Sequence, residues 1–238
     1  MIVAESKKLT HEDISAYLRK DPLFRTLTNE ERDHLLMPSI AVFQFKKGQT
    51  IIDQEDKSEY VFLIVKGIIK KKRNNKEGKE FIIEFGGRSF LSGLGEAVSG
   101  FPVEGSTITV TPVTALRIPA PDIQFLLRNN QFFSNEVNHF LARKTIYLYE
   151  FMSELVFSPV RNRLSSNLIR LAEVLRENGN KGFIPLGQFD LAAYTGTTRE
   201  TVSRVLNDLE EEKLLEMGSN QVQILNLEKL KEIAYMYT

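Results

Sequence analysis

The chain has 238 residues, enough for one large or two modest domains, and its 31 Lys plus Arg balance 31 Asp plus Glu, so no global field draws it to nucleic acid. It contains no cysteine, which excludes disulfides, thiolate-held iron–sulfur clusters, cysteine-ligated zinc or haem, and a cysteine nucleophile. The start, Met1-Ile2-Val3-Ala4-Glu5-Ser6-Lys7-Lys8, lacks the basic-then-apolar order of a secretory signal. No run approaches the ~18 apolar residues of a membrane span, so the expectation is a soluble cytoplasmic protein with no membrane partner.

Residues 9 to 37 read as helical, with Thr28-Asn29-Glu30-Glu31 fitting a capping box beside Leu27, Leu35, Leu36 and Met37. From Ile40 to Pro119 the pattern changes to short β runs: 40–45, 50–52, 60–65, 81–85, 106–110 and 115–118. Nine of the 14 glycines lie here (48, 67, 78, 86, 87, 93, 95, 100 and 105) and supply turns, which predicts a small antiparallel roll or barrel. Asn74-Asn75-Lys76-Glu77-Gly78 reads as the loop of a hairpin between 68–72 and the run starting at Phe81.

Pro121-Asp122 opens a short helix through Leu127. A long helix follows, free of Gly and Pro from Ser134 to Phe157, in which Leu141, Thr145, Leu148, Met152 and Leu155 recur at spacings of four, three, four and three. That is an a/d seam over two heptads, with Phe140, Tyr147 and Phe151 on an adjacent stripe. Two apolar stripes need two partners; the economical pair is the β roll and a second copy of the same helix, hence a homodimer, although a helix buried within its own subunit gives the same pattern. Phe157-Ser158-Pro159 marks a hinge, because the residue before proline resists α geometry. The next helix carries Leu164, Leu168, Leu171, Ala172 and Leu175 on one face and ends in a loop over 177–182. Phe183-Ile184-Pro185-Leu186 then leads to a helix at Gln188–Tyr194, a turn at Thr195-Gly196-Thr197, and a helix from Thr198.

In that last helix Val202, Val205, Leu206 and Leu209 recur on one side, while Arg199, Glu200, Ser203 and Arg204 occupy the other. Ala192 at the crossing, Gly196 in the turn and Val202 behind it read as a helix-turn-helix, followed by a hairpin wing (214–217, 222–225) and a closing helix. The local charge balance works against nucleic acid: from Pro159 onward there are 10 basic residues and 11 acidic ones, a net of −1. Arg199 and Arg204 are expected to share a side with Arg161 or Arg163 while Glu210-Glu211-Glu212 points away. With so few cations, the salt dependence of binding should be shallow.

Three segments resemble the Crp/Fnr family of bacterial transcription regulators: Phe62-Leu63-Ile64-Val65-Lys66-Gly67 with the Glu77-Gly78-Lys79-Glu80 hairpin, Phe90-Leu91-Ser92-Gly93-Leu94-Gly95, and above all Gly196 to Arg204. The resemblance implies an α+β chain: an antiparallel, cyclic-nucleotide-binding-domain-like β roll with its helices (1–133), a dimerisation helix and hinge (134–158), and a C-terminal winged helix-turn-helix (159–238). It implies a homodimer on double-stranded DNA, with RNA polymerase and an unknown small-molecule effector as further partners. Carried over residue by residue, Arg199 and Arg204 would donate to guanine, Glu200 would accept from a cytosine amino group, and Ser203 would make a further base contact. Thr198, Thr201 and Gln188 would hold phosphates. Arg199 fits the catabolite-activator pattern and Ser203 the Fnr pattern, so the half-site is expected to be TGTGA-like or TTGAT-like. The long helices would couple effector to DNA by population shift, spacing the two reading helices ~34 Å apart.

The ligand cassette departs from the family pattern. Cyclic-AMP-binding relatives place a Gly-Glu pair for the ribose and an Arg-Ser pair for the phosphate; here the aligned pairs are Ser92-Gly93 and Gly105-Ser106. A register using Gly95-Glu96 still finds no arginine before Ser106, and Leu148 and Tyr149 stand where relatives place hydroxyls against adenine. An anionic nucleotide would lose its main charge-assisted contact, which argues against cyclic AMP or cyclic GMP. Iron–sulfur sensing is excluded by the missing cysteines, and of the three histidines (His11, His34, His139) only His139 lies near a pocket suited to haem, which reads more simply as a structural residue. What remains is an unidentified effector or control by abundance, with Arg88, Ser92, Gly93, Ser106, Arg143, Thr145, Tyr147 and Tyr149 as the polar groups around a roll-to-helix pocket. Two competing readings are a cupin-like metal-dependent enzyme and a non-DNA-binding adaptor. The first needs histidines that the span Ile40–Pro119 lacks, and the second is opposed by the intact Arg199, Glu200 and Arg204.

Overall fold

The computed structural model describes residues 9–57, 59–177 and 183–235; the N-terminal octapeptide and most of the loop expected at 177–182 lie outside them. The described residues form two compact units, one comprising the chain up to Ile69 together with Gly86–Ile146, the other Lys70–Phe85 together with the chain from Tyr147 onward.

The first unit opens with α1 (His11–Lys20), whose Thr10 N-cap and Asp13 make a reciprocal capping box. The single helical stretch expected over 9–37 is in fact broken into pieces. Pro22 forces Asp21 into extended geometry (φ −70, ψ 133), and Asp21 Oδ1 then accepts the amides of Leu23 and Phe24. Burial raises the Asp21 carboxyl above its ordinary pKa. A 3-10 turn (Phe24–Thr26) and a π-helical turn (Glu31–Leu36) complete the region. The Thr28–Glu31 capping box read from the sequence is present in both directions.

Strands β1 (Ala41–Phe45), β2 (Thr50–Ile52) and β3 (Tyr60–Lys66) follow. Across the hairpin of β4 (Ile69–Asn74) and β5 (Glu80–Gly86) the chain reaches β6 (Leu91–Ser92), β7 (Ser106–Thr109) and β8 (Val113–Pro119). An antiparallel sheet runs in the order β1-β8-β3-β6, with Val42 opposite Leu116 and Leu63 opposite both Leu116 and Leu91, while β2 pairs with β7. Between β6 and β7 lies a short helix that the sequence pattern did not suggest, α2 (Leu94–Ser99), bounded by two left-handed glycines, Gly93 and Gly100. Then come α3 (Ala120–Asn129) and the long α4 (Gln131–Phe157), which begins three residues before Ser134. One face of the sheet and α1, α3 and the start of α4 bury Leu18, Phe24, Leu63, Leu116, Ile123 and Phe133 together.

The second unit contains the β4–β5 hairpin, the C-terminal part of α4, then α5 (Val160–Glu177), β9 (Phe183–Ile184), α6 (Gln188–Thr195), α7 (Arg199–Glu211), β10 (Leu215–Gly218), β11 (Gln221–Ile224) and α8 (Leu227–Ala234). The wing pair β10–β11 is completed by β9, antiparallel to β11. Leu164, Leu168, Leu171 and Leu175 of α5 are buried as their spacing predicts. Phe140 packs on the core of the first unit, whereas Tyr147 and Phe151 serve the second: Phe151 lies 6.0 Å from the Phe81 ring and 5.5 Å from that of Tyr194.

In the β3–β4 turn Gly67 has φ +98, and a Cβ there would sit 2.3 Å from the Pro112 carbonyl oxygen. Gly67→Ala is therefore expected to destabilise the protein by well over the ~1 kcal/mol that separates Gly from Ala at unstrained sites, read as a lowered urea midpoint with an unchanged m-value.

Candidate nucleic-acid interface

The turn between α6 and α7 depends on Gly196, at φ +67, whose amide bonds to the Ala192 carbonyl; a Cβ there would meet Leu155 at 3.0 Å. The turn is also held from behind by α5: Arg163 Nε donates to the Thr195 carbonyl and Asn167 Nδ2 to the Thr195 hydroxyl. Thr198 caps α7, accepting from the Thr201 amide at 3.3 Å, with the two hydroxyls 3.1 Å apart.

Val202, Val205, Leu206 and Leu209 are buried, which leaves Arg199, Glu200 and Arg204 exposed and Ser203 half-buried on the outer face. Glu200 lies in the first turn, where its own backbone amide and then the Thr198 hydroxyl hold its carboxyl below the ordinary range. It is therefore an anion, an acceptor only, at any physiological pH. The Arg199 guanidinium lies 4.8 Å from the ring centroid of Phe189, an exposed aromatic in the first turn of α6. Both line a cleft of about 240 Å³ with Gln188 and the wing residues Gly218, Asn220 and Gln221. The sequence hinted at Phe189 only as a large apolar residue off the buried stripe of its helix.

Two cations expected to reinforce this face do not. Arg161 is committed to Glu212 (2.7 and 2.8 Å), and Arg163 to the carbonyls of Thr195 and Ser158. Only part of the acidic run points away from the fold's own groups, since Glu212 takes Arg161 and Glu210 accepts the Met217 amide at the wing.

The helix-turn-helix is anchored by residues the sequence did not single out for that role. Tyr194 of α6 is fully buried, its hydroxyl 2.9 Å from that of Tyr147 on α4, with the Phe85 ring edge-on at 5.0 Å. Lys70 on β4 bridges Glu80 and Asp190 of α6, both at 2.7 Å. Burial pulls the Lys70 pKa down, but the hydrogen bonds it donates to Asp190 and Glu80 outweigh that and leave it raised. Arg170 grips buried Glu154 through two hydrogen bonds and covers the Tyr147 ring at 5.6 Å.

The residues suggested for an effector pocket are largely engaged with the fold. Arg88 stacks over the Tyr17 ring at 5.2 Å, the buried Ser92 hydroxyl lies 2.8 Å from that of Thr107, and Gly93 caps α2. Ser106 donates to Asp53 at 2.6 Å. Arg143, Thr145 and Tyr149 are exposed on α4, Thr145 donating to the Leu141 carbonyl; His11, His34 and His139 are exposed as well. Among the described residues, no three His, Asp or Glu side chains cluster to hold a metal ion, and no helix is long and apolar enough to cross a membrane.

Residues 162–233 match the Crp-like helix-turn-helix domain, and residues 42–130 the cyclic nucleotide-binding domain. The chain is 30% identical over 217 residues to a probable transcriptional regulator flp of Lacticaseibacillus casei, covering 90% of this chain and 96% of the relative. It is 30% identical over 224 residues to the cyclic AMP receptor protein of Thermus thermophilus, covering 92% and 99%. Its fold is similar to that of FixK2 from Bradyrhizobium japonicum, with a TM-score of 0.72 at 20% identity over 82% of this chain and 96% of that one.

Burial pushes the Tyr147 hydroxyl up from 10.0 to about 12, and Tyr194 in the same direction. Because the folded protein holds these protons more tightly than the unfolded chain, their contribution is intact below about pH 10 and lost as pH rises toward about 12. The drop in urea midpoint between neutral pH and about pH 11 should be smaller in Tyr147→Phe than in the parent; an equal drop would contradict the buried pair.

Proposed function

Because this chain belongs to the Crp/Fnr family of transcription regulators, we propose that it reads a palindromic DNA site as a homodimer, through Arg199, Glu200, Ser203 and Arg204 of α7. The observation that carries this reading is the one-sided burial of α7, which leaves two guanidinium donors and an ionised carboxylate acceptor exposed within six residues. Those groups match the major-groove edges of guanine and cytosine. Arg204, like Arg199, donates to guanine, and Glu200 accepts from a cytosine amino group. Thr198, Thr201 and Gln188 set the register on phosphates, and the half-site is TGTGA-like or TTGAT-like.

Dimerisation is supported by the seam of α4. Leu148 is 39% exposed and Met152 59%, flanked by exposed Ile146, Tyr149 and Val156, an apolar stripe that a lone helix would leave in water. Thr145 continues it at heptad spacing, whereas Leu141 is packed on the core of its own first unit and Leu155 against the Gly196 turn, so those two seam positions are partly occupied within the subunit. The domain roles follow the same reading: sensor (1–133), dimerisation helix and hinge (134–158), and DNA-binding domain (159–238), in a cytoplasmic regulator that acts with RNA polymerase rather than as an enzyme.

The relative from Thermus is named for cyclic AMP, but the groups here do not fit that ligand. Glycine, Gly105, rather than arginine immediately precedes Ser106, and the Ser106 hydroxyl is bonded to the Asp53 carboxylate, which would repel a cyclic phosphate. Control therefore falls to a different small effector or to abundance.

On a duplex selected from a random pool, Arg204→Ala should lose discrimination at one G·C pair by about 1–3 kcal/mol, about 5- to 150-fold, read by fluorescence anisotropy. Unchanged discrimination would sink the base-reading role. Met152→Asp should convert a dimer at micromolar concentration into a monomer in sedimentation equilibrium, and a parent protein already monomeric there would remove the dimer.

A further inference from the structure

The most strongly charged stretch of the chain is the β4–β5 hairpin, which carries Lys70, Lys71, Lys72, Arg73, Lys76 and Lys79. Its base is neutralised and fastened: Lys70 bridges Glu80 and Asp190, and Lys72 pairs with Glu80 at 2.5 Å. Burial raises the Glu80 pKa, but the Lys70 and Lys72 hydrogen bonds more than offset it, so the carboxylate stays ionised. Beyond that base, Arg73, Lys76 and Lys79 are exposed.

The tip has a defined shape. Asn75 Oδ1 accepts the amides of Glu77 and Lys79, the Asn75 amide bonds to the Lys79 carbonyl, and Gly78 takes φ +80. It stands beside the reading head. A groove of about 340 Å³ has Arg73, Asn75 and Lys79 on one wall and Ala193, Gly196 and Thr197 on the other. Thr197 immediately precedes Thr198, the N-cap of α7.

We propose that this hairpin tip is a second DNA-contacting element, in which Arg73, Lys76 and Lys79 lie against backbone phosphates flanking the half-site read by α7. The inference rests on the α7 reading and adds to it a partner surface on the sensor's own sequence. Charge favours DNA phosphates as the occupant. From Tyr147 to the end the chain has 10 basic and 13 acidic residues, a net of −3; residues 70–85 add six basic and three acidic, raising the unit to zero by concentrating positive charge at one edge. A polyanion approaching α7 is attracted to that edge, and the helix's own near-neutral surroundings leave the backbone attraction to the hairpin. The shallow salt dependence expected from α7 alone therefore becomes a steep one.

The test compares the parent with Arg73→Gln/Lys76→Gln/Lys79→Gln on two duplexes, one carrying a site selected from a random pool and one scrambled, over a range of salt concentrations. Losing the three cations in both subunits should flatten the dependence of log Kd on log salt by ~2–5, given ~0.9 per phosphate contact. Both duplexes should weaken alike, leaving their affinity ratio unchanged. The charge-preserving Arg73→Lys/Lys76→Arg/Lys79→Arg variant should keep the parent slope, which separates lost charge from lost shape. An unchanged slope in the glutamine variant overturns the proposal, and tighter binding overturns it too by making the hairpin an obstruction. Arg204→Ala distinguishes the two readings: if the duplex ratio survives that substitution, α7 does not read bases, whatever the hairpin does. Failure of the parent to bind either duplex would defeat both.

Discussion

A buried tyrosine hydroxyl must find a partner, and in the second unit that requirement organises almost everything else. Tyr194 meets it through Tyr147, with Phe85 and Phe151 closing the ring surfaces around the pair. An unsatisfied buried hydroxyl costs about 1–3 kcal/mol, so α6 has one favourable seat, against α4 and the inner end of β5. Once α6 is seated, Gly196 turns with φ +67, where a Cβ would be strained and would press on Leu155 at 3.0 Å, and α7 starts at Thr198 with its apolar stripe inward. Arg199, Glu200 and Arg204 face outward as a consequence of that packing.

Charge is sorted by the same principle. Carboxylates in the second unit occupy cations that would otherwise add to a diffuse basic surface: Glu212 takes Arg161, Glu154 takes Arg170, and Glu80 with Asp190 takes Lys70. Pairing at partly buried positions is strong enough to fix geometry, whereas exposed pairs contribute about 0–1 kcal/mol. Exposed cations remain on α7 and at the hairpin tip, so a chain with no net charge still presents a directed positive edge.

In the first unit, too, polar side chains find their partners within the protein. The hydroxyls of Ser92 and Ser106 are bonded to Thr107 and Asp53, and the Arg88 guanidinium lies over the Tyr17 ring. A binding site needs convergent polar groups whose partners are supplied by the ligand. Here the partners of both hydroxyls are side chains.

Periodicity and turn chemistry are local properties, so the sequence by itself determined the elements and their order: the roll strands, the long α4, the Gly196 turn and the buried stripe of α7 all follow from spacing and from residues that only certain dihedrals admit. It missed what depends on position in space. The break at Asp21-Pro22 lies within a segment of helical composition on both sides, and α2 is too short to show a periodicity beside its two glycines. The pairing of Arg161 with Glu212, 51 residues apart, and of Lys70 with Asp190, 120 residues apart, was invisible because a charge announces its sign and not its partner. Only the tertiary structure decided that Tyr194 anchors the helix-turn-helix and that the basic hairpin stands beside it, because burial and long-range electrostatics are set by which surfaces meet, and no local pattern encodes that.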